Sequence, residues 1–380
     1  MKKILSIFFL LGIIIVSNAQ TTINGSFLHG GITRTYSFYV PATYTAGTPV
    51  PMVIGLHGTG SSGAEFAQYR DFRPIADTAN FIVVHPDGST YLGLKFWNYG
   101  NVFGSTVDDV GFLEALMDTI SAYYSIDQDR IYLAGMSNGS FMSYTFACQS
   151  DRIAAIGTVT GSMSVDIYNS CSPHHPTPVL HIHGTADNIN SYDGTSTMAG
   201  IDVTNSFWVN ENQCNINPTI TSVPDINTAD GATATHYLYS GGVDNNTVEL
   251  FKVDGGGHSW PGSPMPGSSE VTCMDFDANI EIWRFFSQHS IYGTNSLTTK
   301  QKTNLKIWPN PSTGIINIEG VNDQKVNQIL IYDQSGRLLM QNDSGELNNI
   351  DLSNLESGNY VIKILNDHYY SSEQLIIINN

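Results

Sequence analysis

The sequence predicts an α/β domain, in which a mostly parallel sheet is covered by helices, followed by a small all-β sandwich. Between residues 21 and 289, short apolar runs typical of buried strands alternate with segments of helical spacing. From residue 304 to 380, short alternating runs are separated by turn signals. Residues 290–303 are polar and show neither helical nor strand periodicity, which indicates a linker between the two domains.

Each element of the first domain is predicted from its own pattern. Residues 37–40 indicate an early antiparallel strand. Short, continuous apolar runs predict buried strands at 51–56, 81–84, 131–134, 155–159, 179–183 and 247–253. The predicted helices cover 108–124, 138–149, 200–210 and 275–287. Such alternation favours parallel strands joined through helices.

The second domain is predicted from alternating runs such as 315–318 and 328–332, with turns at 309–312, 335–336 and 357–359. It contains no cysteine, and its only histidine is His368. Its residues show no constellation typical of catalysis, so we expect the chemistry to lie in the first domain.

The first 19 residues are typical of a secretory signal. Lys2 and Lys3 precede an apolar run over 4–16, and Ser17-Asn18-Ala19 offers a cleavage site before Gln20. The run is too short for a membrane span, and no later window is long and apolar enough to form one. We therefore expect export, with no transmembrane segment in the mature chain.

Composition narrows the classes of partner. The formal net charge is -18, and an acidic chain repels phosphate backbones, which disfavours nucleic acid as a partner. The four cysteines, at 148, 171, 214 and 273, are an even number in an exported chain. That count predicts two disulfides with three possible connectivities, the alternative being buried free thiols.

The motif Gly135-Met136-Ser137-Asn138-Gly139 lies between a predicted strand and a predicted helix. Glycines on both sides of a serine permit a sharp turn that presents the serine hydroxyl, as in a nucleophile elbow. Together with the strand–helix alternation, this motif predicts an α/β-hydrolase fold. It also predicts an acid and then a histidine downstream.

Two loops supply these partners. Asp187 follows the predicted strand 179–183, and His258 follows the last predicted strand in a glycine-rich loop. The rival acids are weaker candidates: Asp87 precedes the serine, and Asp254 lies very close to His258 in sequence. We therefore predict Ser137 as nucleophile, His258 as general base and acid, and Asp187 as the group that orients the imidazole. This mechanism needs no cofactor.

Further residues are assigned around this triad. The oxyanion that forms on the substrate needs two donors, for which we predict the backbone N–H groups of Asn138 and Thr59. Trp97 and Trp260 are candidates for walls of a substrate cleft, although a core position suits either tryptophan equally well. His57 is interpreted as a residue that shapes its loop.

A metal site is the competing interpretation of the histidines. His181 and His183 alternate on one strand and face the same side, with Asp187, His174 and His175 nearby. Metal sites usually add further ligands at defined spacing, and a metal would leave the serine elbow without a purpose. We therefore predict no metal.

The motifs resemble those of the polyhydroxybutyrate-depolymerase-like esterases, which are related to feruloyl and acetylxylan esterases. The resemblance covers most of residues 30–288 and rests on His57-Gly58, 85–88, 107–113, 135–139, 183–187 and 255–262. It implies a secreted serine ester hydrolase with its triad at Ser137, Asp187 and His258. Relatives usually carry a cysteine near 237–242, where this chain has none. The resemblance implies a Cys148–Cys171 disulfide. Because the cysteine near 237–242 is missing, it also implies that Cys214 pairs with Cys273.

The C-terminal domain resembles a type IX secretion (type A) sorting domain. The resemblance rests on 309–314, 331–338 and 355–360. It implies delivery outside the cell or to its surface by the type IX machinery, with removal of residues 304–380 afterwards. A substrate-binding β-module is the alternative, but the domain offers few aromatic residues beyond Tyr369 and Tyr370 for binding a polymer.

The function predicted from these observations is hydrolysis of esters in extracellular polymers through an acyl-enzyme. The expected substrates are feruloyl or acetyl esters of plant polysaccharide, or polyhydroxyalkanoate polyester. Two alternatives stay open: a broad esterase that also cleaves aromatic polyesters, and a catalytically inactive surface binding protein.

Overall fold

A computed structural model describes residues 20–100, 102–263, 270–291, 306–319, 328–333, 338–342, 348–365 and 370–378. The predicted signal at 1–19, most of the predicted linker at 290–303, and His368 and Tyr369 lie outside these ranges. None of the helices in the described ranges is both long and apolar enough to cross a membrane.

The strands before residue 291, in chain order, are β1 (Thr21–His29), β2 (Ile32–Val40), β3 (Val50–Leu56), β4 (Ile82–Pro86), β5 (Ser89–Tyr91), β6 (Leu94–Phe96), β7 (Ile126–Met136), β8 (Ala155–Val159), β9 (Val179–Gly184), β10 (Thr219–Ser222), β11 (Thr233–Tyr239) and β12 (Val248–Asp254). The helices are α1 (Gly63–Tyr69), α2 (Arg73–Ala79), α3 (Asp109–Tyr123), α4 (Asn138–Gln149), α5 (Val165–Ser170), α6 (Ile201–Glu211) and α7 (Ala278–Phe286).

Ten of these strands form one sheet in the order β1-β2-β4-β3-β7-β8-β9-β12-β11-β10. The central six, from β4 to β12, are parallel to one another, and antiparallel strands flank them on both edges. The predicted α/β fold is therefore confirmed. Because parallel strands end at the same edge, the loops after β7, β9 and β12 lie side by side.

Side chains of the central strands alternate between two hydrophobic cores, as a period of two requires. In β3, Met52 and Ile54 pack with α3, α4 and α6 on one face, whereas Val53 packs with α1, α2 and α7 on the other. Both faces are thus covered, which explains why these strands were recognisable as continuous apolar runs.

The C-terminal strands are β13 (Lys306–Trp308), β14 (Ile315–Glu319), β15 (Gln328–Asp333), β16 (Leu338–Asn342), β17 (Ile350–Asp351), β18 (Gly358–Leu365) and β19 (Tyr370–Ile377). They form a three-stranded sheet, β13-β14-β17, and a four-stranded sheet, β16-β15-β18-β19. Apolar residues from both sheets, among them Ile316 and Ile331, share one hydrophobic cluster. The small all-β sandwich is confirmed.

One predicted disulfide is confirmed and the other is wrong. Cys148 and Cys171 are bonded, closing a loop with a sequence separation of 23. Cys214 and Cys273 are buried free thiols. Cys214 belongs to the core that contains α3 and α6, and Cys273 to the core on the opposite face of the sheet. The sheet therefore separates the two sulfur atoms.

Candidate active site

Ser137 lies in the turn between β7 and α4, and its backbone is strained there. Its φ is 54° and its ψ is -120°, values that a residue with a side chain rarely adopts. The flanking glycines permit the sharp turn by leaving space for the backbone, and neither of them has a positive φ. A Cβ on Gly135 would lie 2.3 Å from the Gly139 oxygen, and one on Gly139 would lie 2.1 Å from the Leu56 oxygen.

The loops after β9 and β12 are joined by backbone hydrogen bonds. The Thr185 N–H donates to the Val253 oxygen and the Ala186 N–H to the Gly256 oxygen, each at 2.9 Å. A Cβ on Gly184 would lie 2.1 Å from that same Gly256 oxygen. The glycine at position 184 therefore allows the two loops to meet, which brings Asp187 to His258.

Asp187 and His258 are hydrogen-bonded. His258 Nδ1 lies 2.9 Å from Asp187 Oδ2, and the second carboxylate oxygen accepts the N–H groups of Ile189 and Asn190 at 2.9 and 2.8 Å. Burial alone would raise the pKa of the Asp187 carboxyl, but the bond with His258 and the Asn190 N–H bring this pKa below its usual value. The carboxylate is thus charged and fixed at neutral pH.

A buried chain of hydrogen bonds supports Asp187 from behind. His183 Nε2 lies 2.8 Å from the Asn190 oxygen and 3.4 Å from Asp187 Oδ2. His183 Nδ1 lies 3.3 Å from His181 Nε2, and His181 Nδ1 lies 3.1 Å from the Tyr144 hydroxyl. Burial lowers the pKa of His183 to about 4 and that of His181 well below its ordinary value, so both rings are neutral.

Neutral rings fix the direction of every bond in this chain. The Asn190 carbonyl only accepts, so His183 Nε2 carries the proton and its Nδ1 accepts. His181 then donates through Nε2 and accepts the Tyr144 hydroxyl proton at Nδ1. All four ring nitrogens of the two histidines that raised the metal interpretation are occupied by these hydrogen bonds.

His258 is also held through its backbone, by a residue that sequence reasoning missed. Its N–H donates to the Glu270 carboxylate, while the Gly257 N–H and the Ser259 hydroxyl both contact the Val271 oxygen at 2.9 Å. Glu270 lies 12 positions after His258 in sequence and shows no pattern of its own. Only the folded loop reveals the contact.

Ser137 and His258 line one cavity of about 570 Å³ at the carboxyl edge of the sheet. Thr59 and Asn138, the predicted oxyanion donors, line it too. Asn138 is the first residue of α4, where backbone N–H groups have no acceptor within the helix. Thr59 belongs to the loop after β3, where a Cβ on the adjacent Gly58 would approach Ser137 Cβ to 3.3 Å.

Of the two positions left open for Trp97 and Trp260, the structure shows the core position, since both side chains are buried and neither lines the cavity. Trp97 donates its indole N–H to the His57 oxygen at 3.0 Å, and its backbone N–H to Asn138 Oδ1 at 2.6 Å. Trp97 therefore connects the loop after β3 to the start of α4. Trp260 packs edge-on against Phe66 and donates to Asn279 Oδ1 at 3.1 Å.

The aromatic lining comes from other residues: Phe66, Tyr69, Tyr99 and Phe141. His57 is buried and shapes its loop, as expected, since its Nδ1 lies 2.8 Å from the Gly58 oxygen and its Nε2 accepts the Gly88 N–H at 2.9 Å. Arg70 lines the cavity as well. No motif had pointed to any residue of α1.

A second cluster of possible metal ligands, Asp230, Cys273 and Asp275, lies away from this cavity. Its carboxylates accept backbone N–H groups of the surrounding loops, including those of Met274 and Ile226. Burial raises the pKa of the Cys273 thiol to about 12, so this sulfur is protonated at neutral pH. The two carboxylates therefore have a structural role, since they hold the surrounding loops through these hydrogen bonds.

Residues 34–198 match the family model described as Esterase PHB depolymerase, and residues 306–379 match the Secretion system C-terminal sorting domain. Both resemblances drawn from the motifs are thereby confirmed. The first match includes Ser137 and Asp187 but ends before His258. His258 is thus connected to the matched region by its hydrogen bond with Asp187.

The curated relatives include a bifunctional acetylxylan esterase/xylanase of Neocallimastix patriciarum, 25% identical over 77% of this chain and 39% of the relative. Feruloyl esterase B of Piromyces equi is 29% identical over 58% of this chain and 41% of the relative. The chain therefore spans about two fifths of each of these relatives. Among solved structures, an acetyl xylan esterase from Aspergillus awamori is 16% identical, with a TM-score of 0.43 over 59% of this chain and 89% of that one.

Proposed function

We propose that this chain is a secreted serine carboxylic-ester hydrolase with Ser137, His258 and Asp187 as its catalytic triad. The observation that carries the proposal is the 2.9 Å contact between His258 and Asp187 in a cavity that also holds Ser137. The match to the Esterase PHB depolymerase family and the names of the relatives support an ester as the substrate.

In the proposed mechanism, the Ser137 hydroxyl attacks the ester carbonyl carbon while His258 takes its proton. The N–H groups of Asn138 and Thr59 stabilise the oxyanion of the tetrahedral intermediate. The intermediate collapses to an acyl-enzyme as His258 passes the proton to the departing alcohol. Water then attacks the acyl group, His258 removes a proton from that water, and the acid leaves as Ser137 regains its proton. Asp187 stabilises the imidazolium in both steps.

The proposed substrates are esters of extracellular polymers: feruloyl or acetyl esters of plant polysaccharide, or polyhydroxyalkanoate polyester. The sorting-domain match supports release outside the cell or at its surface, through the type IX machinery acting on residues 304–380. Surface delivery of a chain that lacks these residues would contradict this part of the proposal. Large polymers need an enzyme outside the cell, so delivery of the chain to the outside is consistent with polymer esters as its substrates.

The experiment that tests the activity is hydrolysis of p-nitrophenyl butyrate by the oxidised chain and by Ser137→Ala. We expect the variant to lose on the order of 10⁶-fold in kcat, because no other hydroxyl replaces the nucleophile. Ser287→Ala, at the surface end of α7, is the control and keeps full activity. An active Ser137→Ala protein would contradict the assignment of the nucleophile.

Substrate class is tested by measuring released product from feruloylated xylan, acetylated xylan, polyhydroxybutyrate film and an aromatic polyester film. Release from one polysaccharide or from polyhydroxybutyrate supports the proposed range, and release from all four favours the broad esterase. A folded protein that binds these polymers and releases nothing would favour the alternative of an inactive surface binding protein.

A further inference from the structure

Arg70 differs from every other arginine that the structure describes. Five of those arginines form ion pairs with carboxylates: Arg34 with Asp109, Arg73 with Asp71, Arg130 with Asp127, Arg152 with Asp118, and Arg284 with Glu249 and Glu281. Among the described residues, Arg70 has no such partner. It is nevertheless 5% exposed, which makes it a buried cation.

Two of the three guanidinium nitrogens of Arg70 have no oxygen acceptor among the described residues. Nη2 contacts the Met136 sulfur at 2.8 Å, and Nε has no hydrogen-bond partner. The guanidinium carbon lies 5.8 and 5.9 Å from the ring centroids of Tyr69 and Trp260. A thioether is a weak acceptor. Burial lowers the pKa of Arg70 to about 10, which still leaves the group charged at neutral pH.

The acidic groups nearest to Arg70 in sequence are engaged elsewhere. Glu65 lines the same cavity, but it is exposed and accepts the Ser61 hydroxyl at 2.9 Å. Asp71 pairs with Arg73 at 2.7 Å. Residues 264–269, which follow Ser263 and are not described, contain no acidic residue. A buried charge without a partner destabilises a fold, so its presence indicates a role in binding.

Arg70 is placed to meet a ligand of the catalytic cavity. It lines that cavity together with Ser137 and His258. Its contact residue Met136 lines the same cavity and immediately precedes Ser137 in sequence. The remaining wall near it is aromatic, with Phe66 and Tyr69, and apolar pockets with a few polar groups are typical of small-ligand sites.

We propose that Arg70 binds a free carboxylate carried by the substrate, and that the enzyme therefore prefers anionic esters to neutral esters of the same shape. This inference rests on the proposed ester hydrolysis and specifies its substrate class. A guanidinium matches a carboxylate with two parallel hydrogen bonds. The net charge of -18 repels anions at long range, so the preference must arise from this short-range contact.

Two matched pairs of esters test the proposal, with the carboxylate in the acid or in the alcohol part. The first pair is the mono-p-nitrophenyl ester of adipic acid and p-nitrophenyl hexanoate. The second pair is p-carboxyphenyl butyrate and p-carbamoylphenyl butyrate. The measured quantity is the ratio of kcat/KM for the anionic ester to that for the neutral ester. We expect Arg70→Met to lower this ratio about 10- to 100-fold in at least one pair.

Two controls separate binding from structure. Arg70→Lys retains a charge without the fork and should keep part of the preference. Arg130→Met removes a surface arginine whose side chain is 42% exposed and should leave the ratio unchanged. The preference of the wild type should also persist in high salt, because buried charge pairs are weakly screened. Equal ratios for the wild type and Arg70→Met in both pairs would overturn the proposal.

A binding measurement keeps this result distinct from failure of the proposed activity. Calorimetry with Ser137→Ala compares monoethyl adipate with ethyl hexanoate and needs no turnover. We expect tighter binding of the anionic ester, and loss of that difference when Arg70→Met is added. If the wild type hydrolyses no ester but this difference is present, the proposed activity fails and the carboxylate site stands. Equal binding of both esters would refute the site.

Discussion

The two walls of the cavity treat buried polar groups in opposite ways. One wall is built by the loops after β9 and β12, which present Ile189, Asn190 and His258 to the cavity. Directly behind it, Asp187 accepts from His258, Ile189 and Asn190, and His183 bonds at both ring nitrogens. On the wall built by α1 and the residue that caps its C-terminus, Arg70, the guanidinium contacts the Met136 sulfur and its Nε has no partner. Both walls are buried, so exposure to solvent does not explain the difference.

We attribute this difference to function. The wall formed by the loops after β9 and β12, here called the positioning wall, holds the proposed catalytic groups in place, and the wall formed by α1 and Arg70, here called the binding wall, is proposed to bind a ligand. A network in which each group has a partner fixes one geometry, which a base and its orienting acid require. A buried donor without an acceptor can be satisfied only when something binds. The first wall is therefore expected to determine turnover, and the second to determine which ester is chosen.

The strongest test of the first wall is Asp187→Asn. An amide at this position no longer favours the His258 tautomer that accepts a proton from Ser137, so we expect kcat for p-nitrophenyl butyrate to fall by about 10⁴-fold. The matched control is Asp254→Asn, which alters the exposed rival acid at the end of β12 and should retain activity. Equal losses of kcat in Asp187→Asn and Asp254→Asn would contradict the role proposed for Asp187.

A smaller effect is expected from His183→Leu, which removes the donor to the Asn190 oxygen that shapes the Asp187 loop. Displacement of a catalytic group by about 1 Å costs roughly 10²-fold, and we expect a loss of that size in kcat with little change in KM. His289→Leu removes another buried histidine, bonded to Thr247, and serves as the control for lost stability. A higher KM with an unchanged kcat would instead indicate that His183 contributes to substrate binding.

The sequence predicted the positioning wall well, because its residues follow strands. The predicted strand 155–159 coincides with β8, and Asp187 and His258 were placed in the loops after β9 and β12. Parallel strands end at one edge, so residues after neighbouring strands meet whatever their separation along the chain. The order of serine, acid and histidine after these strands was therefore enough to predict that Asp187 and His258 meet.

The binding wall was missed, since α1 and α2 are each only seven residues long and no helical period is visible over that length. One signal was present: Ser62 and Glu65 have capping-box spacing, and the Ser62 side chain accepts the Glu65 N–H. The missing partner of Arg70 is a tertiary property that no local pattern encodes. The choice between cleft and core stayed open for Trp260 for a related reason, because closeness to His258 in sequence does not fix where a side chain points.

The neutrality of His183 gives the smallest and most specific test of the positioning wall. Its pKa is lowered to about 4 in the folded protein by burial, against 6.5 for an ordinary histidine. Between these pH values the unfolded chain binds the extra proton, so the free energy of unfolding falls as the pH falls from 6.5 towards 4. One such group contributes up to about 1.4 kcal/mol per pH unit.

Urea unfolding of the wild type and His183→Leu across this pH window measures that contribution. Other buried histidines, His57 among them, titrate in the same direction, so the wild-type slope includes several groups. The variant should lose only the share of His183, and its stability should depend less on pH by up to about 1.4 kcal/mol per unit. An unchanged slope would mean that His183 gains its proton as readily in the folded protein as in the unfolded chain. The hydrogen-bond directions assigned from Tyr144 to Asn190 would then be wrong, because a charged His183 cannot accept from His181.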